Sequence, residues 1–270
     1  MPDPLDVARS AALAGGRVLA SRAGSLGEVR TKSSASDFVT DVDIASGVAV
    51  AREIAEAWPG ARFVIEETEV YAMAGVRPGD LRDPEVWVVD PLDGTTSYMH
   101  GYPCYSVSVA LVRDGQPVAG AVFNAAAGEM NAAAAGCGAT RDGRALRCGT
   151  ASTIETALLI TGFPYDRTAT LDRQLAIFSR VLRRVHGVRR DGSAAIDCCH
   201  VAAGRADGFW ELALKPWDTA AGTVILRESG ALVTDFEGSD WDVTTADTIA
   251  ANPRLHAELL ELVQEALRGA

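Results

Sequence analysis

Three acidic features lie where apolar segments end, so that their carboxylates can be turned into one space. The longest is Trp87-Val88-Val89-Asp90-Pro91-Leu92-Asp93-Gly94-Thr95-Thr96. Residues 86–89 read as a compact buried strand ending at Asp90, Pro91 fixes the backbone, Asp93-Gly94 makes a turn, and Thr95-Thr96 opens a helical turn. Asp90 and Asp93 then point toward one space, and free amides at the turn offer a seat for phosphate oxygens. Two hard carboxylates beside an anion seat suit Mg²⁺, which binds through a few carboxylates plus water and substrate phosphate. A bare D-x-x-D, taken alone, is more simply a polar turn.

The second feature is Glu66-Glu67, at the end of a short strand over 62–65; the plain alternative is a solvated acidic loop, because Glu69 follows closely. The third is Lys215-Pro216-Trp217-Asp218-Thr219-Ala220-Ala221-Gly222, in which Asp218 follows a strand and begins a helix. An N-cap is the ordinary employment of such an Asp, worth about 1 kcal/mol.

These residues must be positioned by the elements around them. Ile44, Val48, Ala51, Ala55 and Trp58 recur with helical spacing from Asp43, and Pro59-Gly60 ends that segment. Residues 5–20 also read as a helix, weakened by Gly15-Gly16. Tyr105, Val107, Val109 and Leu111 alternate with small or polar residues, and Val118 and Val122 continue after Arg113-Asp114-Gly115-Gln116, which predicts a β-hairpin. The segment through Ala135 and Cys137 adds a strand. Strands are further predicted over 157–161, 209–214, 231–236 and 249–251, with helices over 171–185, 192–203, 218–228 and 253–267. The first half is thus two helices and a largely antiparallel sheet, and the second an α/β half. The expected division is 1–150 and 151–270, joined through a loop-like stretch near 138–152 and acting as one catalytic unit.

Composition narrows the partners. The 270 residues are 48% hydrophobic and 23% charged, ordinary for a globular chain, with a formal net charge of −11. That charge disfavours general affinity for nucleic acid or an anionic membrane, and it makes a phosphate substrate hard to attract unless metal is bound. Cys104, Cys137, Cys148, Cys198 and Cys199 are odd in number and lack C-x-x-C spacing, so they read as buried free thiols in a reducing compartment. The N-terminus has no basic segment followed by an apolar run, and no apolar stretch reaches membrane-spanning length, so the expectation is a cytoplasmic protein.

The combination of a Glu-Glu pair, D-P-L-D-G-T-T and W-D ahead of a small-residue helix resembles the inositol monophosphatase family of Mg²⁺-dependent, lithium-sensitive phosphatases. The resemblance extends upstream to Asp37-Phe-Val-Thr-Asp-Val-Asp43 and downstream to Gly192-Ser193-Ala194-Ala195, covering nearly the whole chain from about Lys32. It implies a layered αβαβα sandwich with the site between two halves, in a homodimer. It implies that Glu66, Asp90 and the Leu92 carbonyl hold one Mg²⁺, that Asp90, Asp93 and Asp218 hold a second, and that a third, weaker ion lies near Glu66. By the same resemblance, Thr95 with Glu66 activates the attacking water and Asp43 supports Thr95 or the metal shell. Gly94 and Thr95 amides grip the phosphate, while Glu211, Asp218 and the backbone near Ser193 and Ala194 meet the alcohol. Ile65 and Ser97 depart from the family's usual Gly and Asn; Glu67 is read as a support for the ligands.

Within the resemblance the leading substrate is inositol monophosphate. A fructose-1,6-bisphosphatase follows, then a nucleotide 3′-phosphatase, which the loop over 68–84 disfavours for want of a base-stacking platform. A regulatory binding module on the same fold is the alternative of a different class. His100, His186, His200 and His256 are scattered and read as surface or packing residues. Arg183, Arg184, Arg189 and Arg190 read as a solvated helix end, with substrate steering or a nucleic-acid contact as the alternative.

Overall fold

The computed structural model describes residues 2–24, 29–31, 38–164 and 170–269; Lys32 and Asp37, where the resemblance begins, lie outside them. Helix α1 (Pro4–Arg22) begins at Asp3, whose Oδ1 accepts from the Leu5 amide at 2.8 Å, and carries Pro4 where no amide hydrogen is needed. The Gly15-Gly16 pair does not weaken this helix but lets it pack. A Cβ on Gly15 would stand 2.7 Å from Ser46 Oγ and from Val50 Cγ2, and one on Gly16 would overlap the Phe123 ring. Strands β1 (Val29–Thr31) and β2 (Phe38–Thr40) pair antiparallel ahead of α2 (Asp41–Ala57). Thr40 caps α2, and its own amide donates back to Asp43 Oδ2 at 2.9 Å, completing a capping box.

The chain then builds an eight-stranded sheet from β3 (Arg62–Ile65), β4 (Arg77–Pro78), β5 (Glu85–Asp93), β6 (Ser106–Arg113), β7 (Gln116–Asn124), β8 (Glu129–Ala134), β9 (Ala139–Arg141) and β10 (Arg144–Ala145). Their order is β10-β9-β8-β7-β6-β5-β3-β4, parallel only where β3 meets β4 and β5. Short helices α3 (Glu69–Ala74) and α4 (Thr95–Met99) flank β5 in sequence. The predicted hairpin forms between β6 and β7. Its two-residue turn has φ of 48° at Asp114 and 76° at Gly115, the doubly left-handed geometry that matches strand twist.

The second sheet contains β11 (Leu158–Thr161), β12 (Gly187–Arg189), β13 (Gly208–Glu211), β14 (Leu232–Thr234) and β15 (Thr248–Ala251), in the order β12-β11-β13-β15-β14. Helices α5 (Leu171–Leu182), α6 (Ala194–Ala202), α7 (Pro216–Ser229) and α8 (His256–Arg268) alternate with these strands. Strand periodicity sorts the side chains into three cores. Trp87, Val89, Val109 and Leu111 face α1 and α2. Val86, Val88, Ala110 and Val112 face α6 and α7, which Phe209 and Ala250 meet from the second sheet. Leu159, Trp210 and Ile249 face α5 and α8. The result is the expected αβαβα layering.

Several boundaries differ from the sequence reading. The stretch near 138–152 is not a loop throughout, since β9 and β10 extend the first sheet there. The 68–84 segment carries α3 and β4. The strand near Cys137 stops at Ala134, and Cys137 is exposed rather than buried, while Cys148 is only half-buried. β13 ends at Glu211 rather than Leu214, because Ala213 adopts a left-handed φ of 58° that no strand continues through.

Candidate active site

The D-P-L-D segment is not a turn but a bulged strand. Residues three apart on a regular strand point to opposite faces. Here Asp90 pairs with Ser108 and Asp93 with Ser106, so β5 spends one more residue than β6 over the same interval. That extra residue restores parity and turns Asp90 and Asp93 to the same side, the side on which Ser108 Oγ donates to the Trp217 carbonyl at 3.1 Å. The turn follows at Gly94, with φ of 91°; a Cβ there would stand 2.7 Å from the Cys104 carbonyl oxygen, so only glycine fits.

Asp93 meets the start of α6. Its Oδ2 accepts from Ser193 Oγ at 2.6 Å and from the Ala195 amide at 2.9 Å. Ser193 is also the N-cap of α6, accepting from the Ile196 amide at 3.3 Å. Burial pushes the Asp93 carboxyl up to about 6, the Ser193 and Ala195 hydrogen bonds oppose this, and the Glu66 charge adds to it.

Behind the bulge lies a chain of polar contacts. The Leu92 amide donates to Asp90 Oδ1 at 3.0 Å. The single proton of the Thr95 hydroxyl is shared between Asp43 Oδ1 and the Leu92 carbonyl, each at 3.1 Å. Asp43 and Thr95 are buried, and the capping box of α2 fixes the Asp43 carboxylate that faces Thr95.

In front of the bulge is a cavity of about 540 Å³. Glu66, Asp93, Ser193, Ala194, Glu211 and Asp218 line it; Asp43, Asp90, Leu92, Gly94 and Thr95 are not among its lining residues. Asp218 is the third residue of α7 and not its N-cap; its Oδ2 accepts from the Lys215 amide at 2.7 Å. Burial raises the Asp218 carboxyl well above the usual range, and the charges of Asp93 and Glu66 raise it further. Glu211 is pushed up to about 8, mainly by burial and then by Asp93, with Arg190 opposing.

Sequence reasoning missed part of this wall. Asp197 interrupts the apolar run of α6, a signal that could have been read, and its two carboxylate oxygens are buried without a hydrogen-bond partner among the described residues. Gly162, Phe163, Pro164 and Arg190 also line the cavity. The basic run is therefore not one solvated helix end: Arg184 pairs with Glu155 and Glu258, whereas Arg190 faces the acidic cavity. The histidines keep their packing or surface roles, His256 being buried with Nε2 3.0 Å from Thr234 Oγ1.

The donors fit a hard divalent cation. Glu66, Asp93 and Asp218 offer only oxygen, and each of the two aspartates is raised by neighbouring negative charge, with no cation among the leading influences on Asp218. Among the described residues, no three His, Cys, Asp or Glu side chains stand grouped so as to hold a metal ion by themselves. Oxygen donors of this type suit Mg²⁺, which takes water and substrate oxygens as further ligands. Among the described residues, no helix is long and apolar enough to cross a membrane.

An inositol-1-monophosphatase of Synechocystis is 38% identical over 255 residues, which is 94% of this chain and 86% of that protein. A protein of Neisseria meningitidis serogroup B named a putative Nus factor SuhB is 37% identical over 260 residues, covering 96% of this chain and 97% of its own length. The solved inositol monophosphatase of Anabaena (Nostoc) superposes with a TM-score of 0.85 at 36% identity, over 97% of this chain and 95% of that one. The model of the inositol monophosphatase family matches residues 2–268, and the chain belongs to that family.

Proposed function

We propose that the chain is a Mg²⁺-dependent phosphatase that hydrolyses inositol monophosphate to inositol and inorganic phosphate. The observation that carries this reading is the gathering of Glu66, Asp93 and Asp218, from separate parts of the sequence, around one cavity with Glu211. Glu66, Asp90 and the Leu92 carbonyl would hold one ion, Asp90, Asp93 and Asp218 a second, and a third, weaker ion would lie near Glu66. Bound Mg²⁺ supplies the positive charge that an acidic chain needs to attract a phosphate dianion, and it lowers the pKa of water.

The residues of the chain do the positioning, which is most of what phosphoryl transfer requires. A Leu92 carbonyl taken up as a ligand would leave the Thr95 proton to Asp43. Thr95 Oγ1 would then accept a hydrogen bond from the attacking water and orient it, and the Glu66 carboxylate would take the one proton that water gives up. The Gly94 and Thr95 amides orient the phosphate, and Glu211, Asp218 and the backbone at Ser193 and Ala194 meet the hydroxyls of the alcohol. The two halves work as one unit, since Glu66 directly follows β3 and Asp90 and Asp93 lie on β5 of the first sheet, Asp218 on α7 and Glu211 on β13 of the second sheet. A homodimer in the cytoplasm is the setting this reading assigns.

Initial rates with Mg²⁺ on inositol 1-phosphate, fructose 1,6-bisphosphate, glycerol 2-phosphate, histidinol phosphate and adenosine 3′,5′-bisphosphate test it. Inositol 1-phosphate is expected to give the highest kcat/KM; a clear preference for another ester replaces the substrate. A second reading, a regulatory contact alongside catalysis, is favoured by the relative named a putative Nus factor. Rescue of a deletion strain by an inactive Asp218→Asn variant would support it, and failure to rescue would dismiss it.

A further inference from the structure

Glu211 ends β13, and its carboxylate makes no hydrogen bond to any described residue, though the charges of Asp93 and Arg190 act on it within the same cavity. The surface against it is Gly162, which directly follows β11. A Cβ built on Gly162 would overlap Oε1, Oε2 and Cδ of Glu211. The backbone at Gly162 has nowhere to retreat. Gln174 of α5, fully buried, donates from Nε2 to the Gly162 carbonyl at 2.6 Å and to Thr161 Oγ1 at 2.9 Å. Thr161 Oγ1 donates in turn to the Trp210 carbonyl at 2.6 Å, and the parallel register of β11 and β13 sets Thr161 opposite Trp210. Gly162 is thereby clamped beside Glu211.

Asp197 and Arg190 line the same cavity, so a displaced Glu211 turns toward other groups and leaves its place beside Gly162. We infer that Gly162 is a specificity-determining position: its missing side chain, held in place by Gln174, aims the Glu211 carboxylate at the hydroxyls of a polyol phosphate. This rests on the reading above in which Glu211 meets the alcohol. The backbone of Gly162 lies outside the left-handed region, so alanine is admissible there, and the obstructing atoms are the far end of a flexible side chain.

The test measures kcat/KM for inositol 1-phosphate and for p-nitrophenyl phosphate, which has no neighbouring hydroxyls, and reads their ratio. The wild type, Gly162→Ala, Glu211→Gln and the double variant are compared, with Gln174→Leu as a change that frees Gly162 without adding an atom to the cavity. Gly162→Ala and Gln174→Leu are each expected to lower the ratio, the first by about tenfold, the size expected for one lost hydrogen bond to a charged group. In the Glu211→Gln background, Gly162→Ala is expected to lower it no further, because both changes act on one interaction. A ratio within twofold of wild type in folded Gly162→Ala and Gln174→Leu while Glu211→Gln lowers it, or a fully additive double variant, overturns the role of Gly162 and leaves the reading of Glu211 standing; an unchanged ratio in Glu211→Gln overturns both. A wild type that prefers no hydroxyl-bearing ester overturns both.

Discussion

Ser193 Oγ donates to Asp93 Oδ2 at 2.6 Å, joining residues 100 apart in sequence. The bond ties the bulge of β5 to the first turn of α6, and it sets a carboxylate against the positive end of that helix. One serine thus caps a helix and holds a side chain of the site.

Ser193→Ala removes both services. The expected cost is about 1 kcal/mol of stability from the lost cap, read by chemical denaturation. In the metal-free protein the Asp93 carboxyl should titrate above its present value of about 6, because a donor that favours the charged form is gone. A carboxyl resonance that titrates unchanged in the variant would refute the coupling.

Stability of the metal-free protein should depend on pH in an unusual direction. Asp93 is raised from 3.8 to about 6 and Glu211 from 4.5 to about 8, so the folded state keeps protons that the unfolded chain has released. Their contribution is fully present below about pH 4 and is lost as pH rises through about 6 and about 8. With a chelator present, Tm is expected to fall between pH 5 and pH 8.5, and Mg²⁺ should reduce the fall by binding only the native state. A Tm that stays level or rises over that range in chelator would contradict the assignment.

Asp93→Asn and Asp218→Asn should each lower kcat by at least about a hundredfold with the fold intact, since each removes a negative ligand from a site that stabilises developing charge. Activity within twofold of wild type would take that residue out of the site. Chelation and dialysis should abolish turnover, and Li⁺ should inhibit it relative to K⁺ at equal ionic strength, as membership of the family implies.

Thr95→Ala should damage kcat more than the Mg²⁺ concentration needed for half-maximal rate, because its hydroxyl faces Asp43 and Leu92 rather than the cavity wall. Asp43→Asn should lower kcat similarly, and the double variant should be scarcely worse than either alone. A defect confined to metal affinity would reassign Thr95 to the ligand set.

Periodicity and motif spacing made the layers and the acidic residues readable, but not the means by which those residues converge. The D-P-L-D segment looked like a turn because Pro, Asp and Gly favour turns; the bulge that aligns Asp90 with Asp93 depends on pairing with Ser106 and Ser108, which no local window contains. The Gly15-Gly16 pair looked like a flaw until Ser46, Val50 and Phe123 were brought against it. Gly162 escaped for the same reason, being a residue whose contribution is empty space, and Arg190 stood out only as one member of a basic run for which substrate steering was the less favoured alternative. Asp218 was legible as a site residue, yet its place in the third position of α7 required the helix to begin at Pro216.

The middle helical layer also sets an order of assembly. During synthesis Asp43, Glu66, Asp90 and Asp93 leave the ribosome long before Asp218, and the face of the first sheet formed by Val86, Val88, Ala110, Val112 and Val122 stays bare until α6 and α7 emerge to cover it. A nascent chain halted before residue 216 therefore carries a sticky apolar sheet and only part of its ligand set, the condition in which aggregation competes with folding. A fragment stalled at that point exposes the apolar surface on which chaperones and proteases act.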